Sequence, residues 1–363
     1  MSEPRSANPA EDVIDPRVYE RIVTAADFRE PDRVPIWDFV DSWPIYERFA
    51  PGEDDPVVAT AKVFNGLHID MCRSVYVPQP PGSEGRETQT ETHKRKISGK
   101  TNWVVEYPIR SLGDVKAWQR DVPSEDAIWP EVERTAQIRD TFAPETLYVP
   151  GCGVGFHAAY GMMGLQLFAT ALYDARDDIE RIIATLNAAN SIRARAYAEA
   201  NLGPLFFVGD DIAYKGRTMF SLTMLRELFF PHLKRLCDPL VQAGIKVVFH
   251  TDGYVMDIVD DLLECGVAGL NPLEPLAGND IAALKKRYGR NLILVGGMDC
   301  SQLLPLGSVA DVREGTKQLL RDAGHGGGLF IGSSSEIVPS TPVQNILAFY
   351  ESCREFGRYP LRL

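Results

Sequence analysis

Eight short apolar runs recur along this chain, at 34–40, 69–77, 147–151, 205–209, 246–250, 268–272, 292–296 and 329–333, and half of them close on Gly or Ser. Between them lie longer stretches with apolar residues at three- and four-residue spacing, at 166–173 with 179–201, 224–242, 255–265, 281–288, 309–323 and 343–356. Short strands alternating with helices is the pattern of a parallel sheet. Most runs are continuously hydrophobic rather than alternating, as strands are when helices cover one face and a packed core the other. Eight of them predict an α/β fold, a single (β/α)8 TIM barrel over 16–363. That length suits a barrel, which as one domain exceeds the usual domain size.

Two segments depart from the rhythm. Residues 1–15 are polar, proline-bearing and aperiodic, and read as a flexible leader. About seventy residues separate the second and third runs; 78–145 is expected as an insertion over the barrel mouth. Within it 87–108 reads as a β-hairpin, with alternating Thr and charged residues, a Ser98-Gly99-Lys100 turn, and Val104, Val105 and Tyr107 on the return. It is a candidate lid or substrate wall; the alternative is a surface excursion.

Composition removes several classes of function. The net charge of −12 opposes binding along a nucleic-acid backbone or an anionic membrane surface. No run approaches the ~20 apolar residues of a membrane span, and the opening residues lack a signal-peptide core, so a cytoplasmic protein acting on a small molecule is expected. The six cysteines are widely spaced without a CxxC pair and are expected as packed thiols.

Barrel active sites lie at the carboxyl ends of the strands. Here those ends carry Asp38 and Asp41; Arg73; Gly151-Cys152-Gly153; Asp210 and Asp211; His250 and Asp252; Asn271 and Glu274; Asp299; and Ser333 to Glu336. Acids dominate. Carboxylates converging with an imidazole can hold a divalent metal through N and O, or bind a cationic or NH-rich substrate while one serves as general acid or base. Asp299 and Ser334 are equally well placed to cap helices. His250 follows a buried strand and stands beside Asp252-Gly253, which favours a functional role over a core histidine. His157, beside Phe156 and Tyr160 after the third strand, is intermediate, and the 324–328 glycine stretch lacks the lysine of a phosphate loop.

At these positions the sequence resembles the uroporphyrinogen decarboxylase superfamily, (β/α)8 barrels that include porphyrinogen decarboxylases and corrinoid-dependent methyltransferases. The likeness is carried by Arg33-Val34-Pro35-Ile36, Gly155-Phe156 through Met163-Gly164 to Asp174, Gly209-Asp210-Asp211 with Ser221 and Pro231, and His250-Thr251-Asp252-Gly253. It continues in Gly266 to Glu274-Pro275, Gly296-Gly297-Met298-Asp299 and Ile337 to Pro342 with Asn345. The resemblance implies cationic partners for substrate carboxylates after the first strand, but Asp38-Phe39-Val40-Asp41-Ser42-Trp43 stands there. The decarboxylase's aspartate falls near Val77 and its eighth-strand histidine at Ser335; only Tyr160 matches its pocket. An acid-rich mouth repels an octacarboxylate, so the decarboxylase reaction itself is not expected.

The methyltransferase branch implies zinc held by a His-x-Cys pair after the fifth strand and a cysteine after the eighth. His250 keeps the first position, Asp252 replaces one cysteine and Ser335, beside Glu336, the other. The expected metal site is therefore a harder N/O set of His250 and Asp252 with Glu336 or Glu274, holding Zn2+ as a Lewis acid for an oxygen-linked methyl donor. The expected catalytic groups are Asp210, Asp211, Tyr160 and Glu274, with Asp38, Arg73, His157, Asn271 and Ser335 lining the substrate. The function this implies is a corrinoid-linked methyltransferase acting on a methylated or methoxylated small molecule, its corrinoid delivered by a separate partner protein. The alternatives are a lyase acting on a porphyrinogen or other carboxylated compound, and a non-catalytic ligand binder. Family members are often dimers, so a homodimer is the accompanying expectation.

Overall fold

The structure, a computed structural model, describes residues 9–80, 82, 86–89, 94–98 and 101–363. Strands Leu205–Gly209, Lys246–His250, Val267–Asn271, Ile293–Met298 and Leu329–Ser333 pair in parallel, each with the next in sequence. Gly151–Cys152 pairs with Phe207 and Val208, and Leu147–Tyr148 with Met71–Cys72. The first run makes single bridges in place of a named strand: Ile36 to Ile331, Trp37 to Met71 and Val40 to Ile337, all parallel. Spatial order thus follows chain order, and the first run lies between the second and the eighth, the arrangement of a (β/α)8 barrel.

The early strands are short for a local reason. Pro35 and Pro150 have no N–H to give the ladder, although their carbonyls still accept from Ile331 and Phe207. Pro150 lies in the gap between Leu147–Tyr148 and Gly151–Cys152. On the fifth strand, Val248 joins the inner cluster with Trp37, Leu205, Ile293, Val295 and Phe330, while Val247 and Phe249 join the outer one beneath the helices. A strand buried on both faces needs apolar residues at every position, which is why these runs do not alternate.

Ile22, Ala25 and Ala26 of helix Pro16–Ala26 belong to the inner cluster. The expected leader is shorter than 1–15: Ala10–Val13 is helical, Ala10 and Ile14 are buried in that cluster, and Asp15 caps the next helix by accepting from Arg17 N–H. Residues 1–8 lie outside the described residues. The segment 78–145 also differs from expectation. Arg86–Gln89, Lys94–Ser98 and Thr101–Glu106 form a three-stranded antiparallel sheet, and the middle of the expected turn, 99–100, lies outside the described residues. Helix Glu125–Phe142 buries Ile128, Trp129, Val132, Ala136 and Phe142 and packs on helices Pro56–Leu67 and Arg176–Ala200. It belongs to the helical layer. Among the described residues no helix is long and apolar enough to cross a membrane. The cysteines are unpaired thiols, all buried except the half-buried Cys152.

Candidate functional site

Three strand-end side chains converge. His250 is the last residue of its strand, Asp252 follows two positions later, and Asp211 follows strand Leu205–Gly209; one donor atom from each lies within 4.8 Å of the others. His250 Nδ1 is 2.7 Å from Asn271 Oδ1. An amide oxygen only accepts, so the proton sits on Nδ1 and the Nε2 lone pair is left for the site, 3.9 Å from Asp252 Oδ1. Burial, reinforced by the charge of Arg73, pushes the imidazole pKa down to about 4, despite the bond to Asn271. The ring is neutral at physiological pH, the form that ligates metals.

Asp211 is held from several sides. Its Oδ1 accepts from the Asp252 N–H at 3.2 Å, its Oδ2 lies 3.3 Å from His157 Nδ1, and its backbone carbonyl accepts from the Tyr160 hydroxyl at 2.8 Å. His157 stacks on Tyr160 with the rings 4.7 Å apart and 8° from parallel. Burial pushes the Asp211 carboxyl up, but the hydrogen bond and charge of His157, with His250, outweigh it and hold it below the usual range. Asp252 moves the other way: burial and the neighbouring Asp211 charge raise it, with Arg73 and a 3.4 Å contact from Ser335 Oγ opposing. The turn that presents Asp252 depends on Gly253, whose φ is +99° and whose N–H donates to Glu274 Oε1 at 2.7 Å. Burial raises the carboxyl of Glu274, and also that of Glu336, where Asp41 adds to the effect.

Several expected roles change. The third metal-competent group is Asp211; Glu336 and Glu274 are outside the trio, because the turn after the fourth strand, and not the loop after the eighth, brings its carboxylate to His250. Asp210, expected as catalytic, is buried and accepts from the backbone N–H groups of Val154, Gly155 and His157. It organises the loop carrying His157, and burial raises its carboxyl to about 6. Asp38, expected to line the substrate, is buried and accepts from Ser333 N–H, Ser333 Oγ and the Tyr350 hydroxyl at 3.0, 2.5 and 3.0 Å. Asn271 orients His250, and Tyr160 orients Asp211. Asp299 is a helix cap, accepting from the N–H groups of Ser301, Gln302 and Leu303.

Arg73 stands beside this trio. Its guanidinium lies 5.3 Å from the Phe39 ring centroid and 5.1 Å from that of Phe207, and its Nη2 reaches the Ser335 carbonyl at 3.5 Å. Burial lowers its pKa, while Asp252, Glu336 and Asp38 oppose the shift. The two phenyl rings escaped the sequence reading because only the inward-facing position of Phe207 marks it. Thr251 escaped too: its hydroxyl accepts from the Ile212 and Ala213 N–H groups at 2.9 and 3.2 Å and ties the Asp211 turn to the fifth strand. Chemically, one neutral imidazole and two carboxylates could serve as a three-ligand N/O set for a divalent ion.

The family model for uroporphyrinogen decarboxylase (URO-D) matches residues 95–356. Curated proteins show no match. Among solved structures, the chain is similar to a methyltransferase from Methanosarcina mazei at 20% identity, over 93% of this chain and 98% of that one, with a TM-score of 0.68. It is also similar to a B12-independent methionine synthase from Shewanella sp. W3-18-1, at 10% identity over 89% and 98% of the two chains and a TM-score of 0.49. At such identities the likeness is one of fold.

Proposed function

The chain belongs to the uroporphyrinogen decarboxylase (URO-D) family, and from that premise we propose that it is a methyltransferase of the corrinoid-linked kind, removing a methyl group from a methylated or methoxylated small molecule. The observation that carries this reading is the convergence of His250 Nε2 with the Asp211 and Asp252 carboxylates. The donor set fits a divalent ion: the imidazole is neutral with its outward nitrogen free, and two carboxylates match the ion's charge. Zinc bound there would polarise the oxygen of a methyl donor as a Lewis acid. The protein's own residues supply order. Asn271 fixes the His250 ring, while His157, Tyr160 and the Asp252 N–H fix Asp211. The methyl acceptor in this reading is a corrinoid on a separate partner protein.

A lyase of the decarboxylase type, acting on a porphyrinogen or other carboxylated compound, is the second reading, favoured by the family match, and it needs no metal. Metal analysis separates the two. Wild-type protein purified without chelator is expected to carry close to one equivalent of zinc, and His250→Ala and Asp252→Ala to bind it at least about tenfold more weakly, as loss of a ligand does. Methyl transfer from methoxylated donors to added cob(I)alamin, followed by absorbance, is the companion assay. Absence of stoichiometric metal, with no uptake on titration, would overturn the zinc reading; turnover of a porphyrinogen by metal-free protein would establish the second.

A further inference from the structure

An arginine in an acid-lined mouth needs a reason. The Arg73 guanidinium is flanked by Phe39 and Phe207, which fixes its plane, and among the described residues its hydrogen bonding is the single 3.5 Å contact to the Ser335 carbonyl. No carboxylate there lies within ion-pairing distance of it. A guanidinium has five N–H donors in a rigid planar fork, and a desolvated one with donors unused is matched by a carboxylate arriving edge-on. Phe207 also touches the other centre, its ring centroid 5.2 Å from that of His250. Arg73 and His250 therefore lie against one ring, their separation capped at about 10 Å.

We infer that Arg73 anchors a carboxylate of the substrate, so that the substrate is a small monocarboxylate whose reacting group sits at the Asp211–His250–Asp252 trio. This rests on the trio's being the reacting centre. One six-membered ring or a chain of about five carbons spans such a distance. The charge pattern bears on this: a divalent ion would offset Asp211 and Asp252, so that Arg73 meets an incoming anion with Glu336 and Asp38 as its remaining acidic neighbours. One arginine takes one carboxylate, which also separates this substrate from a polycarboxylated porphyrinogen.

The test is binding rather than turnover. Full-length protein supplied with one equivalent of zinc is titrated calorimetrically with 4-methoxybenzoate and with 4-methoxybenzamide, which has the same shape without the charge. The acid is expected to bind at least about tenfold tighter in the wild type; Arg73→Met should erase that preference and Arg73→Lys retain part of it. Equal binding of acid and amide by the wild type, binding of neither, or a preference that survives Arg73→Met would overturn the inference. The wild-type comparison depends on no variant's folding. A preserved preference without methyl transfer to cobalamin would leave the anchor standing and remove the methyltransferase reading; methyl transfer without the preference would do the reverse.

Discussion

His250 combines a buried position with a neutral ring, and the two are linked. The unfolded chain protonates this imidazole near pH 6.5 and the folded chain only near pH 4. Between those values the unfolded state binds more protons, so the contribution of His250 to stability falls as the pH drops from 6.5 towards 4. In chelator-treated protein, His250→Gln should lose that dependence. Relative to wild type it should gain about 2 kcal/mol between pH 7.5 and pH 5 in urea unfolding; parallel curves would show that the ring is not neutral in the folded state. His250 and Asp252 were legible in the sequence because they end a run with an obvious exit turn. Asp210 and Asp211 were not separable, since both follow the same run. One turns inward to grip backbone N–H groups and the other turns to the site, a difference made by residues more than fifty positions away. Asp38 misled for the same reason, its partners Ser333 and Tyr350 being some three hundred residues distant.

At the scale of elements, the fourth, fifth and eighth strands and helices Ile281–Tyr288, Val309–Ala323 and Val343–Phe356 stand where the hydrophobic pattern places them. Continuous β-branched and aromatic runs leave little freedom of register once both faces are covered. The first and third strands deviate because proline removes ladder donors, and Glu125–Phe142 was passed over because it fell within the expected insertion. The turn between the fifth strand and its helix links element to site. Gly253 has φ +99°, and a Cβ there would lie 2.6 Å from Tyr214 N and 2.8 Å from the Ala213 carbonyl carbon. Gly253→Ala should cost about 1–3 kcal/mol by urea unfolding and weaken zinc binding about tenfold by displacing Asp252. Unchanged zinc affinity in a destabilised variant would show that the turn supports the fold alone.

For the molecule as a whole, the end opposite the site is tied by one carboxylate. Buried Asp70 accepts from Arg21 Nη1 at 2.7 Å, from Arg33 Nη1 and Nη2 at 2.7 and 2.9 Å, and from the Ile36 N–H at 2.7 Å. This joins helix Pro16–Ala26, the first run and the start of the second strand. Asp70→Ala would leave the Arg33 guanidinium without its carboxylate and Arg21 with Asp32 alone, and should cost about 3–5 kcal/mol in urea unfolding; a loss below about 1 kcal/mol would mean that Asp32 or solvent compensates. Local information determined the repeating strands and helices, the end of the barrel where chemistry belongs and the acid-rich roster of candidates there, because hydrophobic periodicity and turn residues are properties of neighbours in the chain. Only the tertiary structure decided that Asp211 joins His250 and Asp252, that Asp38 and Asp210 are held by backbone N–H groups and hydroxyls, and that Arg73 lies between two phenyl rings. Where a side chain points at the end of a strand depends on which distant donors remain unpaired, and pairing across the barrel, not spacing along the chain, settles that.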